Sequence, residues 1–287
     1  MKRVGLALVG LGNVGRRFLR LLIEHDDTLR EKYGLAFSVH CAVDSSGVAV
    51  SDDGFDLAHL LEHKGRGLKL RELREFDDGL TLAVALDSVQ CDILLEASPV
   101  DLITGNPGLS NCRTALDLGL HLVLANKAPL ALAQAELDHL AADTDVGILY
   151  SATFCGGLPV LNIVRRDMVC GKILGFRGIF NSTTNFILEE MLKGRSYADA
   201  LSETQERGIA EADPSIDVGG WDTAAKLVIA ANSIVDAMIT LADVSVSGIE
   251  DVQLDWLEQC RREGSVLKLV ATAERIDAEW RFHVEPT

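Results

Sequence analysis

The 287-residue chain has no sequence pattern of paired metal or disulfide ligands. Its six cysteines include no Cys-x-x-Cys pair, and no cluster of histidines lies beside them, which excludes the usual zinc sites and a disulfide framework. Most of them lie in apolar runs, where a free cysteine packs as a small hydrophobic residue. Unpaired cysteines are typical of a reducing compartment, so we expect a cytoplasmic protein. No apolar stretch is long and clean enough to span a bilayer, and no membrane partner is expected.

Basic residues are also scarce. Lysine and arginine together number 27 against 43 aspartates and glutamates, giving a formal net charge of −16. Such a chain repels phosphate backbones, which argues against a general nucleic-acid partner. Hydrophobic residues make up 48% and charged residues 24%, as is usual for a folded protein with a substantial core. The length suits two medium domains, and no repeat or low-complexity linker interrupts it.

Short apolar runs alternate with helical patterns in the first half of the chain, which predicts an α/β fold with a parallel sheet. We expect strands at Val4–Val9, Phe37–Val43, Asp92–Ala97, His121–Ala125 and Gly147–Ser151, with helices at Val14–Glu24, Cys112–Leu118 and Leu130–Ala142.

The pattern changes near residue 150. Beyond it we expect a strand at Ile173–Asn181, an acidic loop at Gly208–Gly220, and helices running towards Met168 and at Thr184–Leu192, Tyr197–Arg207 and Gly220–Ile234. The sequence therefore predicts a Rossmann-type dinucleotide-binding domain over residues 1–149. A second domain, of the α+β class, is expected over residues 150–287.

A glycine-rich segment follows the first predicted strand and opens the first predicted helix. In that context the pattern is typical of dinucleotide binding. Its first glycine permits the tight turn, the second lets the backbone approach a pyrophosphate, and the third allows close packing of helix on strand. The alternative is a tight turn without a ligand. The residues expected to contact the cofactor here are Gly10, Gly12, Asn13, Val14 and Gly15.

Asp44 ends the second predicted strand, where a carboxylate can hold the adenine ribose of a dinucleotide. It lies further from the glycines than the usual spacing of about 20 residues, which a helical extension at His25–Tyr33 explains. A carboxylate favours NAD because it repels a 2′-phosphate, whereas Arg16 and Arg17 oppose that preference. The sequence leaves the choice between NAD and NADP open, as well as the alternative that Asp44 is a simple turn residue.

Two further loops follow predicted parallel strands, at the edge where open α/β sheets bind ligands. Ser98 follows one strand, and Asn126 and Lys127 follow the next. We expect Ser98 and Asn126 to contact the cofactor. Lys127 is well placed to meet nicotinamide or substrate, although an exposed loop lysine is an equal alternative.

Asp222 and Lys226 lie four residues apart on a predicted helix and therefore share one face. A surface ion pair is the ordinary explanation. The apolar run Leu227–Ala231 indicates that this helix is largely buried, and a buried pair of this kind is often kept for function. A lysine beside a carboxylate can move a proton to or from a hydroxyl during hydride transfer.

Taken together, the motifs make the chain resemble homoserine dehydrogenases over nearly its full length. The matching segments are GLGNVG at Gly10–Gly15, GNP at Gly105–Pro107, ANKAPLA at Ala125–Ala131, GGLPV at Gly156–Val160, GIFNSTTNFIL at Gly178–Leu188 and ERGIAEADPSIDVGGWDTAAK at Glu206–Lys226. The resemblance implies an NAD- or NADP-dependent oxidoreductase of amino-acid biosynthesis, in the threonine and methionine pathways. It would interconvert L-homoserine and L-aspartate 4-semialdehyde, with the second domain as the substrate-binding, catalytic and dimerisation domain of a homodimer.

The resemblance also implies roles for individual residues. Asp222 and Lys226 would face the reacting oxygen, with Lys226 transferring the proton and Lys127 as a second lysine near the substrate. Glu211 and Asp217 would hold the substrate ammonium, and Ser182 and Thr183 would meet its carboxylate.

Three departures from the family pattern follow. Tyr150–Phe154 stand where the family has a glutamate that helps bind a monovalent cation, so we expect no metal site. Ser182 replaces a usual glycine, and the chain ends at Thr287, before a family segment that returns to the nucleotide domain. These departures motivate two alternatives: a dehydrogenase of another small amino acid, and an inactive nucleotide-binding homologue.

Overall fold

The computed structural model describes residues 1–207 and 213–287, which form two compact units, Met1–Gly157 and Leu158–Thr287. The division lies later in the chain than residue 150. The reason is local, because the 3₁₀ helix Ser151–Thr153 still contacts the strand at His121–Leu124 in the first unit.

The first unit contains a seven-stranded sheet in the order β4-β3-β2-β1-β5-β6-β7. Strands β1, β2, β5, β6 and β7 run parallel, and β3 and β4 extend the sheet antiparallel beyond β2. The strands are β1 Lys2–Val9, β2 Leu35–Asp44, β3 Gly47–Val50, β4 Phe76–Asp77, β5 Ile93–Glu96, β6 His121–Leu124 and β7 Ile148–Leu149. The helices are α1 Asn13–Glu24, α2 Asp26–Tyr33, α3 Leu57–Gly65, α4 Leu82–Ser88, α5 Gly108–Asp117 and α6 Ala128–Asp143.

The centre of this sheet is covered on both faces. Six consecutive residues of β1, from Val4 to Val9, are buried, as is typical of a parallel strand between two layers of helices. Leu19 of α1 and Leu60 of α3 pack into the same core cluster. The core therefore holds the carboxyl end of β1, and with it the glycine loop, in a fixed position.

Local chemistry explains where several elements differ from the sequence-based expectation. The helix extension expected at His25–Tyr33 is a separate helix, α2, because the backbone breaks at His25 and Asp26 begins a new turn. The strand expected at Gly147–Ser151 shrinks to β7, since Ser151 already begins a 3₁₀ helix. The β2–β3 hairpin was not expected, because β3 is only four residues long.

In its described residues, the second unit has a four-stranded sheet in the order β8-β10-β11-β9. Strand β10 is antiparallel to β8 and β11, and β9 is parallel to β11. The strands are β8 Gly175–Gly178, β9 Ser245–Val246, β10 Leu269–Ile276 and β11 Glu279–Pro286. The helices are α7 Val160–Asp167, α8 Ser182–Leu192, α9 Tyr197–Glu206, α10 Ser215–Val218, α11 Trp221–Val235 and α12 Leu254–Arg262.

Helix α11 is the buried centre of this unit and contacts β10, β11 and α7. Every residue from Thr223 to Ala231 except Lys226 is buried. The expected strand Ile173–Asn181 is shorter, because Asn181 turns away to cap α8. The acidic loop expected over Gly208–Gly220 contains a helical turn, α10, where Pro214 precedes the first helical residue.

Candidate active site

The glycine loop joins β1 to α1, and each of its glycines meets a different requirement. Gly10 has φ +91°, and a Cβ there would lie 2.3 Å from the carbonyl oxygen of Ala97. A Cβ on Gly15 would lie 2.1 Å from the carbonyl oxygen of Gly10, so the helix can approach the loop only without a side chain. A Cβ on Gly12 would meet no protein atom within 4 Å. The space before Gly12 therefore stays open to a ligand.

The amino end of α1 is suited to phosphate. Its N-cap residue, Gly12, supplies no side-chain acceptor for the first N–H groups of the helix, and the first turn holds no acidic residue. Asn13 and Val14 are exposed at this end. The Arg16 guanidinium donates a hydrogen bond to Asn13 Oδ1 at 2.8 Å, which adds a positive charge beside the loop. These residues fit the pyrophosphate of a dinucleotide.

Asp44 lies at the end of β2, where its carboxylate meets donors from its own chain. Oδ1 accepts from Ser46 N–H and Ser46 Oγ, and Oδ2 accepts from Lys64 Nζ at 2.5 Å and Leu70 N–H at 3.1 Å. Burial alone would raise the pKa of the Asp44 carboxyl, but the hydrogen bonds from Lys64, Ser46 and Leu70 lower it to about 2. The carboxylate is therefore charged and paired, not a lone negative charge.

The loops after β5 and β6 are joined by one buried amide. Asn126 Nδ2 donates to Ser98 Oγ and to the carbonyl oxygen of Pro99, both at 3.2 Å, and Asn126 Oδ1 accepts the N–H of Ala128 at 3.0 Å. Lys127 follows as the half-buried N-cap residue of α6. Ser98, Asn126 and Lys127 thus lie at the carboxyl edge of the parallel sheet, as the sequence predicted for strand-end residues.

In the second unit, Lys226 lies in a polar cluster beside the buried face of α11. Its Nζ donates to Asp222 Oδ2 at 2.8 Å and to the carbonyl oxygen of Phe180 at 2.7 Å. The Lys226 and Asp222 side chains are 19% and 6% exposed, so the pair is not an ordinary surface ion pair. An ammonium has three N–H donors, and within the described part of the chain one of them is left for a substrate.

Asn181, which sequence reasoning did not single out, connects this pair to the acidic segment. Its Nδ2 donates to Asp222 Oδ2 at 2.8 Å and to Asp217 Oδ1 at 2.7 Å. Its Oδ1 accepts the N–H of Thr184 and so caps α8. The only available signal was local, an asparagine just before a Ser-Thr-Thr helix start. That signal indicates a cap but cannot reveal two carboxylates 36 and 41 residues away.

The remaining predicted residues lie around this cluster, with one exception. Ser182 is exposed at the first position of α8, and Thr183 beside it is buried. Asp217 is half-buried in α10. Glu211, also predicted to bind the substrate ammonium, lies outside the described residues.

Neither a metal cluster nor a membrane-spanning helix is found in residues 1–207 and 213–287. No group of three or more histidine, cysteine, aspartate or glutamate side chains there is placed to hold a metal ion. No helix in those ranges combines the length and apolar character needed to cross a membrane.

Comparison with known proteins gave consistent matches. The family profile described as homoserine dehydrogenase matches residues 159–287. A homoserine dehydrogenase of Methanocaldococcus jannaschii is 36% identical over 92% of this chain and 79% of its own length. An NAD(+)-dependent homoserine dehydrogenase of Pseudomonas canavaninivorans is 36% identical over 100% of this chain and 82% of its own. A hyperthermophilic archaeal homoserine dehydrogenase in complex with NADPH superimposes with TM-score 0.83 at 25% identity, covering 100% and 82% of the two chains.

Proposed function

The chain belongs to the homoserine dehydrogenase family, and we propose that Lys226, anchored by Asp222, moves the proton in its reaction. That reaction interconverts L-homoserine and L-aspartate 4-semialdehyde with NAD or NADP. The observation that carries the proposal is the largely buried Lys226 ammonium. Among residues 1–207 and 213–287, two oxygens accept from it, which leaves its third donor for the substrate.

Residues of this chain supply and remove the proton on the reacting oxygen of the substrate. When the aldehyde is reduced, its carbonyl oxygen becomes a hydroxyl, and the third N–H of Lys226 donates the proton that this oxygen needs. When homoserine is oxidised, the step runs in reverse: Nζ enters it as the neutral amine, takes up the hydroxyl proton and becomes the ammonium. Asp222 keeps Nζ aimed by its hydrogen bond, and Asn181 keeps Asp222 in place. The bound nicotinamide cofactor supplies or accepts the hydride.

Substrate binding is assigned to further polar and charged residues. Asp217 uses Oδ1 to accept from Asn181, and among the described residues nothing donates to Oδ2, which is therefore left for the substrate ammonium. Glu211 is proposed as the second carboxylate. Ser182 and Thr183, at the amino end of α8, are proposed to meet the substrate carboxylate, where N–H groups and the helix dipole favour an anion. Lys127 is proposed as a second lysine near the substrate.

The cofactor is assigned to the first unit, through Gly10, Gly12, Asn13, Val14 and Gly15. The open space at Gly12 and the uncapped start of α1 support this assignment. Asp44, Ser98 and Asn126 are proposed as further contacts.

Turnover is measured by the absorbance of the reduced nicotinamide at 340 nm. Purified protein is given L-homoserine with NAD or NADP, and in parallel L-serine and L-threonine. Turnover confined to homoserine supports the proposal. Faster turnover of another hydroxy amino acid would favour the alternative substrate suggested by Ser182. Folded protein that binds NADH but turns over none of these amino acids would contradict the proposed activity.

Charge around Asp44 favours acceptance of NADP as well as NAD. Lys64 neutralises this carboxylate, so a 2′-phosphate meets an ion pair. We expect Lys64→Met to raise the KM for NADP on the order of tenfold or more, because the unpaired Asp44 carboxylate would repel the 2′-phosphate. The KM for NAD, which has no 2′-phosphate, should change much less. The measurement is the ratio of the two KM values.

Two variants control this experiment. Because an unpaired buried carboxylate also destabilises the fold, Asp44→Asn with Lys64→Met should restore both stability and the KM for NADP. Lys32→Met, on the exposed ring of Tyr33, should change neither KM. Equal changes in the two KM values after Lys64→Met would contradict the assignment.

We propose that the second unit forms a homodimer through the open side of β8. Within the described chain β8 pairs on one side alone, with β10, and an unpaired strand edge is a template for pairing with a second copy. Exposed apolar side chains precede β8 in the chain, among them Val169 at 73% and Leu174 at 65% exposure. Val169→Asp with Leu174→Asp should halve the mass measured by light scattering. Ile103→Asp, at an even more exposed apolar position of the first unit, should leave the mass unchanged.

A cytoplasmic location is part of the same proposal. It is supported by the number and spacing of the cysteines, as argued from the sequence.

A further inference from the structure

Glu96 is a buried carboxylate that the proposed reaction does not use. It is the last residue of β5 and is 0% exposed to solvent. Among the described residues no lysine, arginine or histidine forms an ion pair with it. A carboxylate in such a place costs free energy unless its oxygens accept hydrogen bonds, and it therefore needs a structural or functional explanation.

Its two oxygens accept hydrogen bonds from two different elements. Oε1 accepts the N–H of Ser98 at 2.7 Å, in the loop after β5. Oε2 accepts from Asn111 Nδ2 at 2.9 Å, on helix α5. The carboxylate therefore ties the loop after its own strand to the helix that follows this loop.

The backbone of the same residue holds the neighbouring loop. The Glu96 carbonyl oxygen accepts the N–H of Ala125 at 2.9 Å and of Asn126 at 3.2 Å. Asn126 in turn donates to Ser98 Oγ, which closes a ring of hydrogen bonds between the two loops. Gly108 completes the packing, because a Cβ there would lie 2.5 Å from Asn126 Nδ2.

We infer that Glu96 is a positioning residue that sets the cofactor-binding loops after β5 and β6 by fixing Ser98 against Asn126 and α5. It touches neither substrate nor reacting atoms, and acts through the two residues proposed to contact the cofactor. The inference rests on that cofactor proposal. A charged acceptor binds backbone N–H groups more strongly than a neutral one, which explains why a carboxylate stands here and not an amide.

The first test replaces Glu96 with glutamine. Glutamine removes the negative charge from this site. Its amide oxygen can still accept from Ser98, and Asn111 must turn its amide over to accept from the new NH₂ group, so both charge-assisted hydrogen bonds become weaker, neutral ones. We expect the Kd for NADH, titrated by its own fluorescence, to rise about tenfold. The kcat at saturating cofactor should fall much less, since the proton-transfer residues are unchanged. If Glu96→Gln folds poorly, Asn111→Ala replaces it in this test. Asn111→Ala removes only the hydrogen bond to Oε2, and it should also raise the Kd for NADH.

Rescue separates positioning from general stability. In Glu96→Gln with Asn111→Asp, the glutamine NH₂ donates to the new carboxylate while its oxygen accepts from Ser98. The site then has a negative charge and both hydrogen bonds again, and the Kd should recover to within about threefold of the parent. Asp92→Asn is the matched control, because Asp92 accepts the Gly5 N–H at the opposite end of the β5 region. It should lower the unfolding temperature and leave the Kd unchanged.

An unchanged Kd in folded Glu96→Gln, or an equal rise in Asp92→Asn, would overturn the inference. Asn126→Ala distinguishes this failure from failure of its premise. If NADH binding survives Asn126→Ala as well, these loops do not hold the cofactor, and the proposed cofactor contacts of Ser98 and Asn126 fall together with the role of Glu96. If Asn126→Ala weakens binding and Glu96→Gln does not, only the role of Glu96 is refuted.

Discussion

Lys226→Met lowers kcat for homoserine oxidation about 10³-fold, within the range that positioned proton transfer contributes. Methionine has a similar length and no proton to give or take. The KM for homoserine should change little, because the substrate ammonium and carboxylate are assigned to other residues. The Kd for NADH should stay that of the parent, since the cofactor residues lie in the first unit. Initial rates at 340 nm and an NADH titration test these expectations.

The substitution has a second effect that must be separated from the first. It leaves Asp222, whose side chain is 6% exposed, without its ammonium, and removing one partner of a buried pair costs about 3–5 kcal/mol. Asp222→Asn with Lys226→Met removes both charges, and the oxygen of the introduced amide can still accept from Asn181. This double variant should regain much of the unfolding temperature while kcat stays low. A kcat within a few-fold of the parent in either variant would show that another group transfers the proton.

Gly15→Ala should weaken NADH binding on the order of a hundredfold, the effect of misplacing a binding group by about 1 Å. Its Cβ would lie 2.1 Å from the Gly10 carbonyl oxygen, so α1 must move away from the loop. Such overpacking costs about 1–3 kcal/mol of unfolding free energy. The unfolding temperature should therefore fall, and the Kd for NADH should rise.

Gly12→Ala is the matched comparison within the same loop. Its Cβ meets no protein atom within 4 Å, and Gly12 has an extended backbone with φ −75° that alanine adopts. The unfolding temperature should therefore stay at or slightly above that of the parent. The Kd for NADH should still rise, because the methyl group fills the space proposed for the pyrophosphate. Unchanged NADH binding in Gly12→Ala would place the cofactor elsewhere.

The first unit was largely predictable because its elements carry local signals. The strand β1 is a continuous apolar run, a glycine follows it where φ is positive, and α1 begins within three residues of that glycine. The hairpin β2–β3 and most strands of the second sheet were missed. Short strands such as β9 have too few residues to show a pattern, and their pairing depends on partners distant in sequence.

The features of the candidate site that the sequence could predict are likewise the local ones. By itself the sequence determined the α/β fold class, the glycine loop and the shared helix face of Asp222 and Lys226, because each depends on residues within a few positions of one another. Tertiary structure alone decided that Lys64 neutralises Asp44, that Asn181 joins Asp217 to Asp222, and that Glu96 ties Ser98 to Asn111. Most of these contacts join residues 15 to 41 positions apart, and a hydrogen bond across such a distance leaves no periodic trace in the sequence, since only the packed chain brings its two atoms within 3 Å.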